Sequence, residues 1–356
     1  MSELLVVAGE ASGDALAAEV ATELVVATFG LGGPRLARAG LDGVRDVTAF
    51  AAMGVTAAAG RGPRLASALF ALSREVRKRR PRAALLVGFS EVNALLAGWL
   101  KRRGTRVLWY APPQVWAWRP KRARPIATNC DALAVLLPFE TECWTRAGAT
   151  VEYVGHPAAW RAQSDASRRE VVLLPGSRAH EVRAHLLPML GAAAELARDG
   201  LAARLVLAEG LDARTAAWVE RVARARGVPV TRSGPDALDG AAAALVASGT
   251  ATLECAAASV PPVIVYRTDP LTFAVAARLV RVPHVGLPNL VLDRRAFPEL
   301  LQKDVTASRL AAAVRDVLAA PHLSRASCRE VREKLRGPDD TTPAERVAAT
   351  LRPWLT

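Results

Sequence analysis

Short apolar runs with almost no polar alternation recur along this chain, each followed by a segment of helical length. Residues 4–8, 25–29, 83–87, 107–110 and 132–137 are such runs, and residues 14–23, 62–79, 92–103 and 139–147 read as helices between them. A strand that is apolar on both faces has no side to turn towards water, so it belongs inside a covered sheet. After a polar stretch at 163–169, which reads as a linker, the pattern restarts. Strands are predicted at 171–174, 203–208, 228–231, 242–247 and 263–266, and helices at 181–198, 213–226 and 252–258. Continuous apolar strands joined by helices require parallel sheets covered on both sides. The 356 residues exceed one typical core. The prediction is therefore two Rossmann-like doubly wound domains facing across a cleft, over residues 1–160 and 161–305. Helices divided by Pro321 and Gly337-Pro338 fill 306–356 and are expected to pack back on both.

Two of these runs end in loops suited to an anion. Residues 171–174 lead into Pro175-Gly176-Ser177-Arg178, and residues 241–247 into Ser248-Gly249-Thr250-Ala251-Thr252-Leu253-Glu254. A strand that ends in Gly and Ser and opens a helix presents free N–H groups and a positive dipole end. Arg178 adds a planar fork for phosphate oxygens, and Glu254 could accept from ribose hydroxyls. A Pro-Gly-Ser turn alone is usually just a turn; two such loops in one repeating region point to a nucleotide site in the second half. In the first half, the first strand ends in Gly9-Glu10-Ala11-Ser12-Gly13-Asp14. Ser12 or Asp14 can cap the helix expected from about residue 14, but capping does not explain Glu10 at a strand's C-terminal end, where open α/β sheets bind ligands. Gly30-Leu31-Gly32-Gly33 is followed by proline and lacks the third glycine of a dinucleotide fingerprint, and no P-loop sequence occurs.

Charge is unevenly spread. The formal net charge is +13, and between Glu91 and Asp131 there is no acidic residue. Leu65, Leu69, Leu72 and Val76 recur at helical spacing beside Arg74, Arg77, Lys78, Arg79 and Arg80. This reads either as a solvated helix face in an Arg-rich composition or as a surface for anionic membrane or nucleic acid; the apolar stripe favours membrane, and no nucleic-acid motif appears. Four scattered cysteines show no metal-ligand spacing, and Cys255 reads as a small helix residue rather than a nucleophile. The run at 4–8 is too short for a signal peptide, and the longest uncharged stretch, 47–60, falls short of the roughly 20 residues that cross a bilayer. The expectation is a cytoplasmic chain, peripheral to the inner membrane.

Several segments resemble one family, lipid-A-disaccharide synthase. They are residues 7–14, Gly33-Pro34-Arg35, Met53-Gly54, residues 110–119 (Tyr-Ala-Pro-Pro-Gln-Val-Trp-Ala-Trp-Arg), Leu137-Pro138-Phe139-Glu140, Gly155-His156-Pro157, residues 174–178 with Glu181-Val182, residues 247–254, Tyr266-Arg267 and Leu287-Pro288-Asn289-Leu290. They stand in the family's order over nearly the whole chain. The resemblance implies a glycosyltransferase B fold and inverting transfer of 2,3-diacylglucosamine from UDP to 2,3-diacylglucosamine 1-phosphate (lipid X). The products would be the β-1,6-linked lipid A disaccharide 1-phosphate and UDP. It also implies that Gly176, Ser177, Arg178, Ser248, Gly249, Thr250, Glu254, Tyr266 and Asn289 line the donor pocket. Gln114, Trp116, Trp118 and Arg119 would lie on the acceptor or membrane side, although core packing is the other reading of the tryptophans. A homodimer is compatible with the resemblance.

Inversion needs a general base for the acceptor hydroxyl and neutralisation of the leaving diphosphate. No D-x-D triplet exists, so no metal or other cofactor is expected; Arg178 and the helix N-termini after Ser177 and Ser248 would do that work. Similar proteins carry Asp-x-Pro-Asp-Phe-Asn after the fourth strand, with its second Asp as the favoured base. Here Gly88-Phe89-Ser90-Glu91-Val92-Asn93 stands there, apparently shortened, with Glu91 and Asn93 at the matching end and no counterpart to the first Asp or the Pro. Glu91 is the expected base, with Glu10 and Asp14 as the other carboxylates nearby. The altered segment leaves open a different lipid acceptor, or a membrane- or nucleic-acid-binding protein that has lost catalysis.

Overall fold

The computed structural model describes residues 3–42, 62–165, 167, 169–269, 273 and 282–356. Met53-Gly54 and the whole uncharged stretch 47–60 lie outside these. The chain divides into two compact units, unit 1 comprising Met1–His156 with Gly337–Thr356, and unit 2 comprising Pro157–Arg336.

Unit 1 is a seven-stranded parallel sheet in the order β3-β2-β1-β4-β5-β6-β7. Its strands are β1 Leu4–Ala8, β2 Thr28–Leu31, β3 Leu41–Asp42, β4 Ala83–Val87, β5 Arg106–Tyr110, β6 Ala132–Val135 and β7 Val151–Tyr153. Its helices are α1 Ala11–Leu24, α2 Pro34–Arg38, α3 Gly62–Arg79, α4 Ser90–Lys101, α5 Val115–Trp118, α6 Ala123–Asn129 and α7 Glu140–Arg146. The pleat explains the unbroken apolar runs: Leu5, Val7, Leu86 and Trp109 pack into one core, while Leu4, Val6, Leu85 and Leu108 pack into a second on the other face. Burying each such aliphatic side chain is worth about 1.5–3 kcal/mol, so an alternating polar residue here would be costly.

Unit 2 repeats the design with six parallel strands in the order β10-β9-β8-β11-β12-β13. These are β8 Glu170–Leu174, β9 Ala202–Leu207, β10 Val230–Arg232, β11 Ala241–Ala247, β12 Pro262–Tyr266 and β13 Glu299–Leu301. The helices are α8 Ala179–Ala197, α9 Ala213–Arg224, α10 Thr250–Ala257, α11 Leu287–Leu292, α12 Ala307–Ala319 and α13 Pro321–Arg336. The last helix, α14 Pro343–Leu355, returns to unit 1 and packs on α1. Buried Arg346 holds it there, donating to the Val154 carbonyl and pairing with Asp339.

Three expectations need correction. The strand predicted from residue 25 begins at Thr28, because α1 continues to Leu24 and Val25 closes it in a left-handed conformation (φ 50°). Ser12 and Asp14 are not caps of α1, which opens at Ala11 behind Glu10. The amphipathic stripe of α3 packs Leu65, Leu69, Leu72 and Val76 against the unit 1 core, so it is not the lipid-facing surface that the sequence favoured. Part of the predicted linker is docked as well: the Ser164 N–H donates to the Ala258 carbonyl and its hydroxyl to the Ala241 carbonyl.

Candidate active site

The order in which the chain adds strands reverses once in each sheet, between β1 and β4 in unit 1 and between β8 and β11 in unit 2. Loops that leave the C-terminal ends of such neighbours diverge to opposite faces and open a crevice, which is where ligands of open α/β sheets bind. Most of the motif-bearing loops leave strands at or next to these two points, whereas Leu137-Pro138-Phe139-Glu140 follows β6 and Gly155-His156-Pro157 follows β7.

In unit 1, Gly9 follows β1, and any Cβ there would sit 2.2 Å from the Phe89 ring of the β4 loop. That contact requires glycine and draws the two loops together. Phe89 itself is left-handed (φ 48°), which turns the chain from β4 into α4. Beneath them, fully buried Asn93 donates from Nδ2 to the Gly88 carbonyl at 2.8 Å, with longer contacts to the carbonyls of Val7 and Val87. Its Oδ1 has no partner. Asn93 thus ties the ends of β1 and β4 rather than presenting itself to a ligand. The Glu10 carboxylate lies over Gly88, within 4 Å of where a Cβ would stand.

Glu91, in the first turn of α4, is 71% exposed, and Arg122 grips it at 2.7 and 2.9 Å while Arg119 reaches it at 3.3 Å. Asp14 points elsewhere. It is buried, and its two oxygens accept from the backbone N–H groups of Gly33, Arg35 and Leu36 at 2.7, 2.8 and 3.2 Å. It anchors the N-terminus of α2.

Beyond β5, Gln114 is exposed at the start of α5. Trp116 is partly buried. Its indole N–H donates to Glu140 Oε1 at 2.9 Å, and its ring meets Phe139 edge-on at 4.8 Å. Glu140 also accepts from the Leu137 N–H. Burial pushes its carboxyl up to about 7, against the lowering effect of these hydrogen bonds. Trp116 therefore anchors its loop to the protein. The side chain of Trp118 lies outside the described residues, whereas Arg119 reaches Glu91 as above.

In unit 2, Gly176 is left-handed (φ 125°), and a Cβ on it would collide with the Glu181 side chain at 2.6 Å. The reason is visible in the loop: Glu181 folds back so that its carboxylate accepts from Ser177 N–H at 3.0 Å, Arg178 N–H at 3.2 Å and the Arg178 guanidinium at 2.8 Å. An anion already sits where the β8 loop converges its donors. Buried His185, one helical turn on, clasps this loop to the exit of β12. Its Nδ1 lies 2.9 Å from the Pro175 carbonyl, and its Nε2 accepts from the Arg267 N–H at 2.9 Å. Two backbone partners of opposite kind fix one neutral tautomer. Burial accordingly lowers its pKa below the ordinary value of 6.5. Tyr266 is half-buried beside this loop, its phenol raised by burial and then by the charge of Glu181.

The β11 loop is pinned too. Ser248 N–H donates to the Val265 carbonyl and its hydroxyl to the Val285 carbonyl. Gly249 (φ 150°) leads into α10, whose first residue, Thr250, is exposed. Glu254 lies 3.5 Å from Arg161, and burial raises its carboxyl against that arginine. Asn289 is fully buried. It donates to the Phe297 carbonyl and Glu299 and accepts from the N–H groups of Ala296 and Phe297. With these four bonds its amide is complete, so it shapes the loop beside Ser248 instead of lining a pocket through its side chain.

Glu10, Glu91, Asn93 and Arg119 thus belong to one cluster of strand ends in unit 1, and Gly176, Ser177, Arg178 and Tyr266 to another in unit 2. Four residues that hold these clusters, Glu140, Glu181, His185 and Glu299, carried no role in the sequence reading. Glu181 had a signal, since a glutamate three residues after a helix's start is the capping-box spacing. Among the described residues no three His, Cys, Asp or Glu side chains group as a metal site.

A sequence model of lipid-A-disaccharide synthetase matches residues 4–344. Over 374 residues the chain is 38% identical to the lipid-A-disaccharide synthase of Anaeromyxobacter sp. (strain K), covering 98% of both. Over 359 residues it is 37% identical to the enzyme of that name from Geobacter metallireducens, covering 93% of this chain and 92% of the relative. Among solved structures, a glycosyltransferase from Rickettsia africae aligns with TM-score 0.58 at 10% identity over 99% of this chain and 98% of that one, a likeness of fold alone. With two doubly wound parallel-sheet units of the glycosyltransferase B kind and a match running almost from end to end, the chain belongs to the lipid-A-disaccharide synthetase family.

Proposed function

We propose that this chain transfers 2,3-diacylglucosamine from UDP to O6 of 2,3-diacylglucosamine 1-phosphate, releasing UDP. The acceptor O6–C1 bond forms as the donor C1–O bond breaks, UDP leaves with the electron pair, and the O6 proton passes to a carboxylate. The observation that carries the donor side is the β8 loop of unit 2, where two backbone N–H groups and the Arg178 guanidinium converge on a carboxylate. Donors arranged for one anion suit the developing charge of a diphosphate. Ser248, Gly249, Thr250, Glu254 and Tyr266 complete the donor side in this reading. On the acceptor side Glu91 is the base and Glu10 the carboxylate beside it.

Arg178 and the loop N–H groups take the place of a divalent ion, so turnover is independent of metal. No helix among the described residues is long and apolar enough to cross a membrane. We infer that the chain works at the cytoplasmic face of the inner membrane, where its lipid substrates reside. Phe70 and Leu95, 65% and 78% exposed, are apolar contacts available for that surface.

The test is UDP release from UDP-2,3-diacylglucosamine, with and without the acceptor, in detergent and EDTA. Acceptor-dependent release that survives EDTA and falls at least about 100-fold in Glu91→Gln supports both the reaction and the base. Release that EDTA abolishes would remove the metal-free mechanism. UDP binding without acceptor-dependent release would point to a different acceptor.

A further inference from the structure

The proposed donor side draws on two segments far apart in sequence, the β8 loop from Pro175 to Arg178 and the exit of β12 at Tyr266 and Arg267. In the sheet β11 stands between β8 and β12, so no ladder bond runs directly from one to the other. A single side chain makes that connection. His185 lies in the second turn of α8, is 1% exposed, and is followed and preceded along the helix by buried Val182, Leu186 and Met189. An apolar residue is the ordinary choice on such a face. A buried imidazole is tolerable there only with both nitrogens satisfied. Both are: Nδ1 donates to the Pro175 carbonyl and Nε2 accepts from the Arg267 N–H, each at 2.9 Å. The same strand exit is held a second time from β13, where Gln302 accepts from the Thr268 N–H and donates to the Thr268 carbonyl. The β12 exit is thus a fixed point, and the His185 ring carries it across to the loop of Ser177 and Arg178.

We propose that His185 is a positioning residue for the donor: it holds the loop that takes the diphosphate at a set distance from the Tyr266–Arg267 segment, so that UDP meets both at once. This rests on the transfer reaction proposed above. A planar ring has one width, so it fixes the separation of its two partners in a way that a flexible or aliphatic side chain does not. His185 touches no substrate, and its effect passes through the backbone of Pro175 and Arg267. Donors held in place before binding avoid reorganisation, and a misplacement of about 1 Å can cost roughly 100-fold in rate.

Three substitutions separate the two ends of the ring. His185→Asn places an amide N–H near Nδ1 and keeps the Pro175 bond. His185→Gln reaches the Nε2 position and keeps an acceptor for Arg267, whereas His185→Leu keeps neither. Calorimetric titration with UDP reads the donor side without turnover, and denaturant unfolding reads the fold. His185→Leu should weaken UDP binding at least about tenfold, and the Asn and Gln variants should each recover part of that loss. In turnover, KM for UDP-2,3-diacylglucosamine should rise by a similar factor while the acceptor KM stays at its wild-type value.

UDP affinity within about twofold of wild type in a folded His185→Leu would overturn the proposal and leave His185 as a residue of the core. Donor and acceptor KM rising together would overturn it too, since that is the mark of a general loosening of the fold. If His185→Leu does not fold, the Asn and Gln variants decide, and wild-type UDP affinity in both overturns the proposal. A wild-type protein that binds no UDP overturns it together with the donor site. UDP binding that depends on His185 but comes with no acceptor-dependent UDP release removes the transfer reaction and leaves the clasp standing.

Discussion

The strand ends of the two units use the same topology to opposite effect. In unit 2 the β8 and β11 loops are tied down within the unit: Glu181 fills the anion nest, His185 clasps it to β12, Ser248 bonds the Val265 and Val285 carbonyls, and the Asn289 amide is complete. In unit 1 the corresponding crevice holds exposed Glu91 and a Glu10 carboxylate lying over Gly88. A nucleotide diphosphate has one shape and one charge pattern, so donors held in place before it binds avoid reorganisation at the moment of reaction. An acceptor hydroxyl must lose a proton to a group that can move or be uncovered, so its side keeps replaceable contacts. In the proposed reaction, preorganisation would be concentrated on the leaving group in unit 2, and adaptability on the nucleophile in unit 1.

The sharpest way to break this contrast is Arg178→Ala. If unit 2 supplies fixed charge to the departing diphosphate, the variant should lose about 100- to 1,000-fold in kcat/KM. Varying donor and acceptor separately checks it, and the acceptor KM should not move. A loss confined to acceptor KM would reverse the assignment of the two units.

A middle-sized effect tests whether Asp14 belongs with the open groups of unit 1 or with its scaffold. Its carboxylate accepts three backbone N–H bonds from the start of α2. Asp14→Ala should therefore cost about 2–3 kcal/mol of stability, since charge-assisted bonds are lost and buried donors are left unpaired. Chemical denaturation measures that cost. Activity lost with no change in the unfolding midpoint would instead return Asp14 to the catalytic carboxylates.

Asp14 also shows where the sequence was legible and where it stopped being so. The helix predicted at 62–79 and the strand at 83–87 match α3 and β4 end to end, because unbroken apolar runs and a 3.6-residue stripe each have one way to be buried. The loops singled out for Gly, Ser and Glu do sit at or beside the points where the sheets reverse. The short pieces α2, β3, β7 and β13 carried too few residues for a period to show. Partners were hidden for another reason. That Asp14 serves Gly33, that Trp116 meets Glu140 and that Asn93 ties β1 to β4 depends on strands adjacent only after the chain has folded. Residue type announced chemistry at Glu91 and Arg178 but not the ion pairs that occupy both.

The smallest expected effect is a difference of sign between the units. Burial lifts Glu140 in unit 1 from 4.5 to about 7, against the hydrogen bonds from Trp116 and the Leu137 backbone. Between those values the folded chain holds a proton that the unfolded chain has released. The contribution is whole below pH 4.5 and is lost as pH rises through about 7. His185 in unit 2 does the reverse. Burial lowers it from 6.5, so the unfolded chain takes up a proton before the folded one does, and stability falls as pH drops below 6.5. Each slope is at most about 1.4 kcal/mol per pH unit. Unfolding midpoints of Glu140→Gln and His185→Gln, followed against the wild-type protein from about pH 5 to 8, separate the two. Glu140→Gln should gain on the wild type as pH rises towards 7, and His185→Gln as pH falls below 6.5. Gains in the same direction would mean that one of these buried groups is held in the other protonation state, and for His185 that the Arg267 N–H has lost its acceptor.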